Sequence, residues 1–228
     1  MLSEMRRAAE KERDGRTIAL AGNPNVGKST LFNALTGLHQ HTGNWTGKTV
    51  SCARGHFRVG GREYGLVDLP GTYSMTPHAA EEAAARDYLV SGEADAVCVV
   101  CDALTLERQL ILVLQLMQLT DRPLTVVLNF AREAARRGRR IDVERLSLAL
   151  GVEVIAVELC DKRAARRLGA RLAACADRQE EGERTPLLAC GDTHTPEQLA
   201  ALAARMAEEC VTAVRTVGRG ERRDARLA

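Results

Sequence analysis

Gly22-Asn23-Pro24-Asn25-Val26-Gly27-Lys28-Ser29 sets a glycine at each end of a four-residue insert, then a lysine and a hydroxyl. That spacing suits one chemistry. The glycines let successive backbone N–H groups turn inward around phosphate oxygens, and the N-terminus of a following helix adds partial positive charge. Lys28 is placed for the β- and γ-phosphates of a nucleoside triphosphate and the Ser29 hydroxyl for Mg²⁺. Asn23, Pro24, Asn25, Val26 and Thr30 complete the nucleotide-binding loop. About 40 residues on, Asp68-Leu69-Pro70-Gly71 supplies a carboxylate to hold Mg²⁺, directly or through water, and a Gly71 N–H for the γ-phosphate. Alone, this tetrapeptide is also a good turn; its place after a strand-like hairpin makes it the second phosphate-side motif.

The flanking sequence supplies elements to hold these groups. Thr17–Ala21 is a short apolar run ending at Gly22, as a buried strand does, and Leu31, Phe32, Leu35 and Leu38 follow with helical spacing. Residues 39–48 are polar and read as a loop. Strand-like runs near 49–59 and 63–69 flank Gly60-Gly61, a hairpin signal. Helices are expected at 79–90, 105–119, 141–150 and 161–176, and strands at 95–101, 124–129 and 152–157. Such alternation implies an α/β fold on a mostly parallel sheet, with one antiparallel strand from the hairpin. The expected organisation is a tail (1–16), a phosphate-loop domain (17–176), a linker (177–196), a C-terminal helix (197–216) and a basic tail (217–228). Thr195-Pro-Glu-Gln198 is a helix start, and Leu199, Leu202, Met206, Cys210 and Val214 form an apolar stripe that must pack on the domain, a missing segment or another chain.

Composition narrows the class. The chain has 228 residues, 45% of them hydrophobic, enough for a core, but only 3% aromatic, so the core rests on aliphatic residues. The longest apolar stretch, Leu110–Leu119, is interrupted by Gln115 and Gln118 and falls short of a membrane span. The first residues lack the apolar segment of a secretory signal, so the chain reads as cytosolic. A net charge of +2 predicts no acidic partner, and seven cysteines without regular spacing argue against a disulfide framework. Cys98 and Cys101, three apart on a strand, would face opposite sides. His39 and His41 lack carboxylate or thiol partners for a metal. The arginines at 136, 137, 139 and 140 read as a solvated face.

GNPNVGKSTLFNALTG, HTGNWTGKTV, VDLPGTYS, ARDYL and DALTLERQLILVLQLMQL closely resemble the N-terminal G domain of the FeoB family, which transports ferrous iron across prokaryotic inner membranes. The resemblance covers about residues 16–157. It implies a Ras-like P-loop GTPase fold that binds GTP and GDP with Mg²⁺ and hydrolyses GTP. It also implies a place at the cytoplasmic face of the inner membrane beside a membrane transport domain that this sequence lacks. Residues 39–49 become the first switch, with Thr49 on Mg²⁺ and sensing the γ-phosphate. Asn25 matches the position that ligates K⁺ in potassium-stimulated relatives, and Trp45 would report nucleotide state. Thr72 stands where many small GTPases orient water with a Gln, implying slow hydrolysis. No nucleic-acid-binding appendage is recognisable. The C-terminal helix stands where the family's last subdomain helix would, and its uncovered stripe suggests a homodimer.

The base side departs from that pattern. The family's guanine-reading N-x-x-D becomes Asn129-Phe-Ala-Arg132, so Asn129 is kept while the carboxylate that accepts from guanine N1–H and the 2-amino group becomes Arg132, which has donors only. Glu133 is one possible substitute acceptor. The small base-supporting segment of relatives becomes Glu158-Leu159-Cys160, bulkier and negative. These changes leave a second reading open, a nucleotide-binding regulatory module with relaxed base choice and little hydrolysis.

Overall fold

The apolar run ahead of Gly22 becomes β1 (Arg16–Ala21), the middle strand of a seven-stranded sheet. A computed structural model describes residues 15–37, 40–44, 51–75, 79–178, 187–188 and 191–213, with backbone alone at 40–44 and 51–52. Strand order is β2 (Gln40–Asn44), β3 (Ser51–Val59), β4 (Arg62–Asp68), β1, β5 (Ala96–Asp102), β6 (Leu124–Asn129), β8 (Glu153–Ala156). β4, β1, β5, β6 and β8 are parallel, and β3 runs against its neighbours β2 and β4. The β3–β4 hairpin turns at Gly60 and Gly61, both at positive φ, as a two-residue turn between right-twisted strands needs.

Helices cover both faces of the sheet, as parallel strands buried on both sides demand. α1 (Lys28–Thr36) and α6 (Lys162–Asp177) close one face, where Phe32, Leu31, Leu168 and Leu172 meet Ile18, Leu20, Cys98 and Val100. α2 (Ala80–Ser91), α3 (Leu106–Leu119), α5 (Val143–Leu150) and α7 (Pro196–Cys210) close the other, over Ala19, Val97, Val99 and Cys101. Cys98 and Cys101 thus face opposite cores, as their spacing predicts. Asp142 and Asp161 cap α5 and α6 with hydrogen bonds to Arg145 N and to Arg163 and Ala164 N. Thr195 and Gln198 form a reciprocal capping box at the start of α7.

Several expectations need correction. Part of the loop expected at 39–48 is a strand, β2, laid on the open edge of β3 despite its polar sequence. Residues 38–39 and 45–50, including His39, Trp45 and Thr49, lie outside the described residues, as do 1–14 and 214–228. A short helix, α4 (Ala131–Arg136), and a two-stranded ribbon of β7 (Arg139–Ile141) with β9 (Val211–Ala213) escape the sequence reading, because elements this short show no period. The helix expected over 197–216 therefore ends at Cys210, where Val211-Thr212 pairs instead with Ile141 and Arg140.

The apolar stripe is also covered within the chain. Leu199, Met206 and Cys210 are buried, and α7 packs on α3 and α5. Of the other stripe residues, Leu202 is partly buried against the same core and Val214 lies outside the described residues. The two glutamines that interrupt Leu110–Leu119 anchor the segments crossing α3. Gln115 Oε1 accepts from Met75 N (2.9 Å), and Gln118 Nε2 donates to Asp192 O (2.8 Å). Leu188, in the expected linker, is buried in the same core. Among the described residues, no helix is long and apolar enough to cross a membrane.

Candidate functional site

The site lies where β1, β4 and β6 end, on the side on which parallel α/β sheets take ligands. Gly22 leaves β1 at φ 151°, and a Cβ there would stand 2.5 Å from Val100 O, so no other residue fits. Gly27 opens α1 at φ 102°, against the Asn129 amide. Between them Asn25 is exposed and left-handed (φ 65°), a conformation asparagine tolerates better than most residues. The end of β4 is bonded to the same loop: Leu69 N donates to Leu20 O (3.0 Å) and Thr72 N to Gly22 O (3.3 Å). These bonds bring Gly71 against Pro24.

The result is a cleft of about 460 Å³ lined by residues 23–25 and 27–30 and by Gly71. Eight of the phosphate-side residues singled out from sequence therefore share one wall. Val26 is buried beneath the loop, and Asp68 stands at the cleft's base. Lys28 Nζ donates to Asp68 Oδ1 at 2.5 Å, with only 11% and 13% of the two side chains exposed. Ser29 Oγ donates to Asp68 Oδ2 at 3.4 Å. A carboxylate and a hydroxyl side by side are hard oxygen donors of the kind Mg²⁺ takes when phosphates and water complete its shell. Among the described residues, no group of three or more His, Cys, Asp or Glu could hold a metal by itself.

Thr72 is buried (3% exposed), and its hydroxyl has no hydrogen-bond partner among the described residues. Asn23 is equally buried, with neither side-chain amide atom paired among the described residues.

On the base side, Asn129 is a strut. Its Nδ2 donates to Val26 O (3.0 Å) and its Oδ1 accepts from Leu159 N (3.1 Å), tying the phosphate loop to the segment after β8. One Nδ2 hydrogen remains for a ligand. Phe130, left-handed at φ 62°, starts α4. Arg132 is exposed, and its backbone N donates to Glu158 Oε1 (2.8 Å). Glu133, the substitute acceptor suggested by sequence, pairs instead with Arg137 Nε (3.0 Å) and Arg136 (3.6 Å), down its own helix. Asp161 lies below the usual carboxylate range because Ala164 N and Arg163 N donate to it, with Arg167 and Arg132 adding positive field. The Glu158–Arg132 link is the feature sequence reasoning missed; its donor is a backbone N–H, which leaves no signal in the residue types.

Comparison with known proteins agrees with this geometry. The chain is 48% identical over 143 residues to the Fe(2+) transporter FeoB of Salmonella typhimurium, and 47% identical over the same length to that of Escherichia coli K12. Each match covers 61% of this chain but only 18% of the relative. Among solved structures, the cytosolic domain of L. pneumophila FeoB superposes with a TM-score of 0.68 at 38% identity, covering 75% of this chain and 66% of that one. A GDP-bound mutant of S. thermophilus NFeoB gives 0.66 at 41%, covering 70% and 62%. The T. maritima FeoB G domain gives 0.65 at 36%, covering 71% of this chain and 99% of that one. The sequence model of ferrous iron transport protein B matches residues 16–172, and with the fold and phosphate loop in place the chain belongs to that family.

Proposed function

We propose that this chain is the nucleotide switch of a ferrous-iron transport protein, binding guanine nucleotide with Mg²⁺ and hydrolysing GTP slowly to GDP. It works at the cytoplasmic face of the inner membrane, beside a membrane transport domain. The observation that carries the reading is the convergence of Lys28, Ser29 and Asp68 at the base of the phosphate-loop cleft. Lys28 exchanges its bond to Asp68 for phosphate oxygens, which frees the carboxylate. Ser29, Asp68 and Thr49 are the residues that would hold Mg²⁺, whose charge offsets that developing on the phosphates. Asn25, exposed at the loop tip, is the residue for K⁺. Gly71 N–H supports the γ-phosphate. Thr72 supports slow turnover, since a short side chain buried at this position reaches no attacking water.

A second reading rests on Arg132, a donor-only side chain at the base edge: a regulatory module that binds nucleotide without efficient hydrolysis. Calorimetry with GTP, GDP and ATP in Mg²⁺, in K⁺ and Na⁺ buffers, with phosphate release measured alongside, tests both. The switch reading expects tight diphosphate binding, at least tenfold weaker in Lys28→Ala for a lost charge-assisted bond, and slow release faster in K⁺. Binding without release moves the chain to the second reading. No nucleotide binding, or binding indifferent to Lys28, overturns both.

A further inference from the structure

Guanine presents two adjacent donors, N1–H and the 2-amino group, and a site that selects it needs an acceptor there. On the rim formed beyond β6 and β8, the candidate acceptors are few. Arg132 has none. Glu133 is engaged by Arg136 and Arg137. Asp161 caps α6. Glu158 is different. It is half-buried, and its Oε1 is pinned 2.8 Å from the backbone N of Arg132. Among the described residues its Oε2 takes no hydrogen bond. Its backbone is fixed as well: Asp161 N donates to Glu158 O (3.0 Å), and the next residue, Leu159, donates to Asn129 Oδ1 (3.1 Å). The same Asn129 reaches Val26 in the phosphate loop. A carboxylate is thus held one residue from the strut of the nucleotide loop, with one oxygen anchored and one open.

We infer that Glu158 is the specificity-determining acceptor for the base, a carboxylate carried by the segment after β8 that stands in for the one absent at position 132. This inference rests on the nucleotide-binding reading above. Arg132 does not oppose this arrangement: its backbone N–H anchors the acceptor while its side chain is exposed.

The test is equilibrium binding of GDP, inosine diphosphate (no 2-amino group) and ADP, each with Mg²⁺, to the wild-type chain and to Glu158→Ala and Glu158→Gln. Wild type is expected to bind GDP more tightly than inosine diphosphate, and that more tightly than ADP. Two hydrogen bonds to a charged acceptor correspond to about a hundredfold or more in the GDP-to-ADP ratio. Glu158→Ala is expected to bring that ratio close to one while ADP affinity stays within about threefold, showing the phosphate site intact. Glu158→Gln, whose one carbonyl oxygen stays on Arg132 N and whose amide turns donors toward the base, is expected to lose the guanine preference as fully as alanine. Equal binding of GDP and ADP by wild type overturns the inference and leaves the phosphate-site reading standing. A guanine preference that survives Glu158→Ala, or a parallel loss of GDP and ADP affinity, also overturns it, the latter marking Glu158 as purely structural. Failure of all three diphosphates to bind wild type removes both readings.

Discussion

Asn129→Ala tests whether the strut between the phosphate loop and the base-side segment is structural before any ligand arrives. Asn129 is 3% exposed and makes two hydrogen bonds, one donated to Val26 O and one accepted from Leu159 N. Alanine removes both partners at once and leaves a buried carbonyl and a buried N–H unpaired. Each orphaned group costs about 1–3 kcal/mol, so the variant should lose about 4 kcal/mol, part of it recovered where water enters from the cleft. For a chain of this size that is a drop of about 10 °C in Tm. Asn129→Asp sharpens the test. The carboxylate still accepts from Leu159 N but turns an acceptor toward Val26 O, so it should be no milder than alanine at neutral pH. Protonation restores a donor, which raises the introduced acid's folded pKa. The deficit should therefore be smallest at and below about pH 4 and grow as pH rises from there toward the raised folded pKa. Urea titrations of nucleotide-free protein at pH 4 and 7 read both effects. A loss under about 1 kcal/mol for Asn129→Ala, or a pH-independent Asn129→Asp, would refute the strut.

Other expectations follow from the same geometry. Gly22→Ala drives a Cβ to 2.5 Å from Val100 O at a φ of 151°; circular dichroism should show a displaced loop or an unfolded chain, and normal nucleotide affinity would contradict the close approach. Met206→Ala, 4% exposed in the core shared with α3, should cost about 2–5 kcal/mol by chemical denaturation; a cost near zero would mean that α7 does not dock as described. Burial pushes the Cys101 thiol up to about 12 and the Cys98 thiol well above its ordinary value. Both raised thiols favour the folded state below the unfolded thiol range near 9, and that advantage fades as pH climbs toward 12. Stability should accordingly fall in alkali, and less so in Cys101→Ser once its lower neutral-pH stability is subtracted. At pH 8 an alkylating reagent should modify exposed Cys160 well before buried Cys98, Cys101 or Cys175.

The phosphate side was legible because its motifs are local. Gly22, Gly27, Lys28 and Ser29 lie within eight residues, and their geometry follows from backbone sterics alone. The cap at Thr195 was readable for the same reason. What stayed hidden depends on partners far along the chain. Asn129 could be named as a base-side residue, but its bond to Val26 spans 103 positions. The polar breaks at Gln115 and Gln118 served to exclude a membrane span, while their hydrogen bonds to Met75 and Asp192 appear only when those segments lie across α3. The stripe on α7 was visible and its cover was not. A signal lay in α3, whose buried Leu106, Leu110, Leu112, Val113, Leu114, Leu116 and Met117 surround the helix axis and call for packing on every side. Glu158 read as a loss because its charge was weighed against a small residue, without the Arg132 N–H that anchors it.

The central position of β1 has a consequence for synthesis on the ribosome. This strand emerges ahead of the other described strands of its sheet, is buried on both faces, and hydrogen-bonds on both edges, yet its neighbours β4 and β5 end at Asp68 and Asp102. At roughly 5–20 residues per second, one edge waits about 2–9 s and the other about 4–16 s for its partner to be made. During that interval an apolar segment with open backbone edges is the nascent chain's main aggregation hazard. The helix that seals α3 arrives about 90 residues later still, by the same rate. Slower translation between residues 21 and 102 lengthens the time these edges stay open.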